Sequence, residues 1–207
     1  PMVSCIMPTA NRREFIPAAL DNFFAQDYEN KELVIVDDGS DPIDDLLPPD
    51  QAIQYIRKHQ KNSVGEKRNM ACEAARGEII IHWDDDDWRG PQWISLQVRH
   101  LIAGNAHITG LDQPYFYDPF NDKTWQYIYP ADDGRGREPW VHGGTLCYWK
   151  EFWETNRFPD IDVGEDLEFL WSGRTKRVTP HRGIYLYVAM IHQHNVSPKH
   201  TWDKRFH

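Results

Sequence analysis

Four aspartates in a row, residues 84–87, follow an apolar run and sit between Trp83 and Trp88. Adjacent carboxylates repel one another, and at the end of a core-type strand they are costly unless a cation offsets them. Hard oxygen donors suit Mg²⁺ or Mn²⁺, which typically bridge one or two carboxylates to substrate phosphates. The plainer reading of an acidic run is a solvated loop, or an aspartate capping the next helix. This run abuts a strand rather than a linker, which favours the metal.

Arg68 is the second residue with chemistry to explain. On a helix opening at Ser63, the side chains of Val64, Arg68, Ala71 and Ala75 share one small, apolar face. A guanidinium facing a sheet needs an anionic partner. Asp38 would serve, and so would a ligand phosphate; a structural ion pair and a ligand contact both stay open.

These groups need elements to position them. Residues 3–7 (VSCIM) read as a buried strand stopped by Pro8. Residues 13–24 carry Phe15, Ala19, Leu20, Phe23 and Phe24 at helical spacing. Residues 33–36 and 53–56 read as strands. Ser63, with Glu66 three residues on, is a capping box; its helix runs to about residue 76, with Gly77 placed to end it. Residues 78–83 (EIIIHW) form a fourth strand, and Pro91 opens a helix through about residue 103. Near-continuous apolar strands alternating with helices imply a parallel sheet covered on both faces. Ligands of such sheets bind beyond the carboxyl ends of the strands. Residues 8–11, residues 37–40 and the aspartates all fall there and are expected to line one crevice.

In the second half, residues 108–111 are expected to join two strand-like pieces around a turn at 120–123 in one mixed sheet. Residues 131–142, polar and Gly-rich, read as a mobile loop. Composition sets the frame: 207 residues suffice for one α/β domain with a sizeable core. A formal net charge of −9 argues against a nucleic-acid partner. Nine tryptophans point to a Trp-rich core or to flat platforms for sugars or bases. Cys5, Cys72 and Cys147 form no CxxC pair, which argues against a disulfide framework and for a reducing cytoplasm. No apolar run approaches the roughly 20 residues of a transmembrane span, and no signal-peptide pattern opens the chain. The abrupt start on a strand leaves room for a longer or membrane-associated parent. The glycosylation pattern Asn195-Val196-Ser197 is followed by Pro198 and is discounted.

Six segments carry a resemblance: VSCIMPTANR (3–12), ELVIVDDGSDP (32–42), GEKRNMACEAARGEIIIHWDDDDWRGP (65–91), GGTLCY (143–148), VGEDLEFLW (163–171) and HQHNVSP (192–198). In that order the chain resembles the family 2 glycosyltransferases of the GT-A fold, over almost its whole length. The resemblance implies one domain, 1–207, with a Rossmann-like, mostly parallel or mixed central sheet flanked by helices. About 1–103 would bind a nucleotide sugar and about 104–207 an acceptor. It implies that Asp38, beside Asp37, contacts the base, that Pro8, Thr9 and Asn11 line the nucleotide site, and that Arg68 lies near the base and the acid cluster. Counting back from Pro91 places the family's Asp-x-Asp motif on Asp84, Asp85 and Asp86. Asp86 would be the direct metal ligand, with Asp84 the alternative, and Asp84 or Asp85 the ribose contact; with four aspartates in a row the register within 84–87 is free by one. A late histidine, His192 rather than His194, would add a further ligand to Mn²⁺ or Mg²⁺. Asp166 would be the general base, with Glu165 in reserve; the helix dipole alone also favours acids at that position. Tyr115, Tyr117, Trp125, Trp140 and Trp149 would offer stacking for an acceptor sugar, or ordinary packing.

The expected activity is inverting, metal-dependent transfer, with a UDP-hexose as first donor and dTDP- or GDP-sugars second. A sugar-phosphate nucleotidyltransferase would need a Gly-rich basic loop after the first strand, which Pro8-Thr9-Ala10-Asn11-Arg12 is not. A non-catalytic calcium- or carbohydrate-binding module would not need Asp38, Arg68 and Asp86 to converge.

Overall fold

The computed structural model describes residues 1–129, 139–172, 176–197 and 199–207. Strands β1 (Val3–Thr9), β2 (Lys31–Asp37) and β4 (Ile79–His82) are largely apolar along their lengths, whereas β3 (Ile53–Arg57), at the sheet edge, is half-buried and mixed. The reason for the apolar runs is burial on both faces. Val3, Cys5, Met7, Leu33, Ile35, Ile79 and Ile81 point into one core, and Ile6, Val34, Val36 and Ile80 into a second. Helices α1 (Ile16–Phe24) and α3 (Trp93–Ala103) cover the first; α2 (Val64–Ala74), α4 (Lys150–Thr155) and α5 (Glu165–Trp171) cover the second.

Adding β6 (Ile108–Leu111), β9 (Cys147–Trp149) and β10 (Val178–His181) gives a seven-stranded sheet in the order β10-β6-β9-β4-β1-β2-β3. All its neighbouring strands pair in parallel except β9, which runs antiparallel to β4 and β6. The expected mostly parallel, helix-flanked sheet is therefore present. β2 lies on one side of β1 and β4 on the other, so the strand order reverses at β1 and opens a crevice beyond its carboxyl end.

The sequence reading needs four corrections. Strands β7 (Tyr115–Asp118) and β8 (Lys123–Gln126) do not extend the sheet of β6. They join β5 (Trp88–Arg89) and β11 (Tyr187–Met190) in a second sheet, ordered β5-β11-β7-β8. Pro114 falls between β6 and β7 and has no N–H to donate to a continuing ladder. The hairpin turn lies one residue earlier than expected, because Asp118 Oδ1 accepts the amides of Phe120 and Asn121 and Lys123 already belongs to β8. Helix α1 starts at Ile16 after a tight turn in which Phe15 N–H donates to Arg12 O, and Phe24 is exposed. Helix α2 keeps its Ser63–Glu66 capping box but ends at Ala74, with Ala75 extended. Gly77 serves a close approach instead: a Cβ there would lie 2.6 Å from Ser4 N.

All three cysteines are buried and free. No described helix is long and apolar enough to cross a membrane. Of the loop expected at 131–142, residues 131–138 lie outside the described residues, as does Pro198.

Candidate active site

After β4 the chain turns at Trp83, which is fully buried and anchored by its indole N–H to Ala19 O at 3.3 Å. The four aspartates then splay to largely separate partners, with Arg12 shared by Asp85 and Asp86. Asp84 accepts from Arg68 Nη2 at 3.0 Å. Asp85 accepts from Thr9 Oγ1 at 2.6 Å and from Arg12 Nη1 at 2.8 Å. Asp86 Oδ2 accepts from Arg12 Nη1 at 2.9 Å and lies 2.9 Å from His192 Nε2. Asp87 accepts from Tyr187 OH and, at 3.1 Å, from Met190 N–H, which ties the acid turn to β11. Mutual repulsion is offset by arginines and donors drawn from five separate segments.

The electrostatics follow this division. Burial works to raise the Asp84 pKa, but Arg68 and Arg89 outweigh it and hold the carboxyl well below the usual range. Burial pushes Asp85 up to about 6 against the pull of Arg12. Burial and the neighbouring Asp86 charge push Asp87 up to about 8.

Helix α5 enters from the other side. Gly164, at φ 87°, takes the left-handed turn before it and delivers Glu165 and Asp166 into its first turn. Arg68 Nε donates to Glu165 Oε1 at 3.1 Å, so one guanidinium bridges the acid turn and α5. Burial pushes Glu165 up to about 7 and also raises Asp166, in each case against Arg68. The Asp166 carboxylate packs against Gly143, where a Cβ would fall 1.5 Å from Oδ2.

A cavity of about 640 Å³ runs between these groups, within the range of ligand pockets. Pro8, Thr9, Arg68, Asp84, Asp85, Asp86, Glu165 and Asp166 all line it. Asn11, Asp37 and Asp38 are not among the lining residues. Asn11 Oδ1 instead accepts from Ser40 Oγ and Asp41 N–H, Asp37 from Gly39 N–H and Tyr55 OH, and Asp38 from Asn62 N–H and Lys67 Nζ. His192 stands behind Asp86. The expected Arg68–Asp38 pair is therefore replaced by Arg68–Asp84 and Lys67–Asp38. Consecutive helix residues point about 100° apart, so Lys67 faces the β1–β2 end while Arg68 faces β4 and α5.

Among the aromatics proposed for stacking, Trp140 lines the cavity; Tyr115, Tyr117, Trp125 and Trp149 do not. Tyr127, Tyr129 and Trp171 stand there with it. Sequence reasoning also missed Arg12, Lys67 and Asn195. The only signal for Arg12 was its place at the end of the polar cluster after β1. Lys67 had none, and Asn195 was visible only as part of a pattern with His192.

Among the described residues no three His, Cys, Asp or Glu side chains form a ready-made cage for a cation. Mg²⁺ and Mn²⁺ completed by substrate phosphates need only one or two carboxylates. Two adjacent ligands of an octahedral ion at ~2.1 Å stand ~3 Å apart, which matches the separation of Asp86 Oδ2 and His192 Nε2. His192 Nδ1 accepts the His194 amide at 3.1 Å, which places the ring proton of this tautomer on Nε2, facing Asp86. Asp86 fits as a ligand as it stands, whereas His192 fits only if that proton moves to Nδ1 and the bond from the His194 amide is given up.

A sheet that reverses at β1, with an acidic turn at its switch point, is the arrangement expected of the GT-A class. The Glycosyl transferase family 2 model matches residues 4–163, and the chain belongs to that family. It is 35% identical over 105 residues to WcaA of Escherichia coli (strain K12), a match covering 48% of this chain and 38% of that protein. It is 28% identical over 116 residues to the GalNAc(5)-diNAcBac-PP-undecaprenol beta-1,3-glucosyltransferase of Campylobacter jejuni, covering 53% of this chain and 38% of that one. The chain thus spans less than half the length of these relatives. In fold it is similar to the mannosyltransferase PcManGT of Pyrobaculum calidifontis, solved with GDP-Man and Mn²⁺. The TM-score is 0.73, with 21% identity over 95% of this chain and 59% of that one. It is likewise similar to TarS 1–349 of S. aureus, solved with UDP, at TM-score 0.72 and 17% identity over 92% of this chain and 61% of that one.

Proposed function

We propose that this domain transfers a sugar, with inversion, from a nucleotide-sugar donor to an acceptor hydroxyl. The observation that carries it is one crevice lined by both Asp86, which is backed by His192, and the buried Asp166. Family membership and the nucleotide-bound relatives of like fold support the donor class, with a UDP-hexose first and a GDP-sugar second. Mn²⁺ or Mg²⁺, held by Asp86 and His192 with Asp84 the alternative, would supply positive charge for the departing diphosphate. Arg12 and Arg68 add fixed positive charge along the same wall. Asp166 takes the proton of the attacking hydroxyl, and its raised pKa makes it a stronger base than an exposed aspartate. The aromatic end around Trp140 and Tyr129 receives the acceptor.

A calcium-binding module is disfavoured because Ca²⁺ takes six to eight oxygen ligands, whereas these four carboxylates turn apart, to Arg68, to Thr9 and Arg12, to Arg12 and His192, and to Tyr187. The test is nucleotide release from UDP- and GDP-sugars in the presence of Mn²⁺, with and without saccharide acceptors. Wild-type protein should release nucleotide, and Asp166→Asn should lower acceptor-dependent release about 10²–10⁴-fold while donor binding persists. Transfer by Asp166→Asn at the wild-type rate would move the base elsewhere, and a product retaining the donor's anomeric configuration would overturn inversion.

A further inference from the structure

Among the described residues, the lysines and arginines that line the crevice are Arg12, Lys67, Arg68, Lys199 and Arg205. All but one face carboxylates: Arg12 pairs with Asp85 and Asp86, Lys67 with Asp38, Arg68 with Asp84 and Glu165, and Arg205 with Asp203. Lys199 pairs with no carboxylate among the described residues. Its ammonium lies over the ring of Phe116 instead, 5.9 Å from the centroid. An ammonium has three donors and no lone pair, so Lys199 enters the crevice with donors to offer.

The segment that carries Lys199 is tied at both ends. Asn195 Nδ2 donates to Met190 O at 3.1 Å where the chain leaves β11. Farther on, Ile128 N–H donates to Arg205 O at 2.8 Å and His207 N–H to Gln126 O at 3.0 Å, which pins the segment along β8. Phe116, under the ammonium, begins a continuous aromatic wall. Its ring meets Tyr127 at 5.9 Å, Tyr127 meets Trp140 at 5.5 Å, and Trp140 stacks on Tyr129 at 4.7 Å. Lys199 therefore stands at the aromatic end assigned above to the acceptor. Its charge also reaches the proposed base. Burial raises the Asp166 pKa, and Lys199 works against that rise. A cation near a general base weakens it, so proton transfer gives Lys199 no reason to be there. An anion pairing with Lys199 would cancel that pull as it arrives.

We propose that Lys199 binds an oxyanion of the acceptor, a carboxylate or a phosphate, so that the substrate receiving the sugar is an acidic saccharide. The aromatic wall then fixes the plane of the acceptor ring, and the ammonium fixes which edge of it carries the negative group. Hydrogen bonds between two charged groups are the stronger kind, and here the stem is backed by Phe116. This inference rests on the transferase reading above and adds the acceptor's chemical class to it.

The test compares matched acceptors by nucleotide release in the presence of Mn²⁺, with UDP-glucose and GDP-mannose as donors. Methyl glucoside is set against methyl glucuronide, and glucose and mannose against their 6-phosphates. In at least one pair the anionic member should be used at least about tenfold more efficiently, as one charged hydrogen bond allows; the pair that responds tells carboxylate from phosphate. Lys199→Gln should bring that pair within about threefold. Lys199→Met, which keeps the stem on Phe116, should do the same, and Lys199→Arg should retain the preference. Melting curves check that each variant folds. Equal use of neutral and anionic acceptors by wild-type protein, acceleration by neither while the donor is hydrolysed, or a preference that survives in Lys199→Gln and Lys199→Met overturns the inference alone. So does a loss of UDP affinity in Lys199→Gln with the anion preference intact, which would assign the ammonium to the donor's diphosphate. No nucleotide release from either donor, with or without acceptor, overturns the transferase reading with it.

Discussion

Removing the Arg68 side chain would strand two carboxylates at once, Asp84 and Glu165. Arg68 is 5% exposed, and losing one partner of a buried pair typically costs about 3–5 kcal/mol. Arg68→Ala should lower unfolding free energy by that order in urea titration; a loss below about 1 kcal/mol would mean that the bridge carries little stability. Glu165 gives a pH signature. Its folded pKa lies at about 7, above the ordinary glutamate range. The folded protein therefore binds a proton there that the unfolded chain has released, and this contribution makes stability fall as pH rises from the ordinary glutamate range to about 7. Glu165→Gln should flatten that fall in melting curves; an unchanged slope would assign it to other groups. Single residues were legible where type and position were both unusual. The aspartates at a strand end and Arg68 on a small-residue face announced themselves. Lys67 did not, because nothing in the sequence tells which of two consecutive basic side chains faces which strand end. The Asp86–His192 pairing spans 106 positions and came from family likeness alone.

Elements turn these residues into a site by close approach. The backbone of residues 143–144 slots between three carboxylates: Asp166 against Gly143, and Asp84 and Asp87 against Gly144. His82, fully buried at the end of β4, holds that backbone through its ring Nδ1, 2.8 Å from Gly143 O. Gly143→Ala would place a methyl on Asp166 Oδ2 and push the carboxylate or α5 aside. Acceptor-dependent transfer should fall at least tenfold, since small misplacements of reacting groups cost that and more, while UDP binding measured by calorimetry changes little. Transfer at the wild-type rate would show that Asp166 is not held by this contact. The central strands were readable because burial on both faces removes polar residues from them. The second sheet was not, because β5 is two residues long and its partner β11 lies about a hundred residues later. Helix ends read from composition were wrong at α1 and at Gly77, where a turn hydrogen bond and a close backbone contact decided the outcome.

At the scale of the whole molecule, the two sheets meet at the acid turn. The seven-stranded sheet supplies Thr9 and the aspartates, while β11 and the segment after it supply Tyr187, His192 and Asn195. Arg12 is the counterion of Asp85 and Asp86. A cation and a diphosphate entering together would offset the same charge, so each should favour the other. The most direct measurement is calorimetry of UDP and GDP binding with Mn²⁺ and with chelator, for wild-type protein and Asp86→Ala. Mn²⁺ should strengthen binding of the preferred nucleotide at least about tenfold in the wild type, and Asp86→Ala should abolish that strengthening while keeping the chelator-level affinity. Equal affinity with Mn²⁺ and with chelator in the wild type, or full strengthening in Asp86→Ala, would contradict the account.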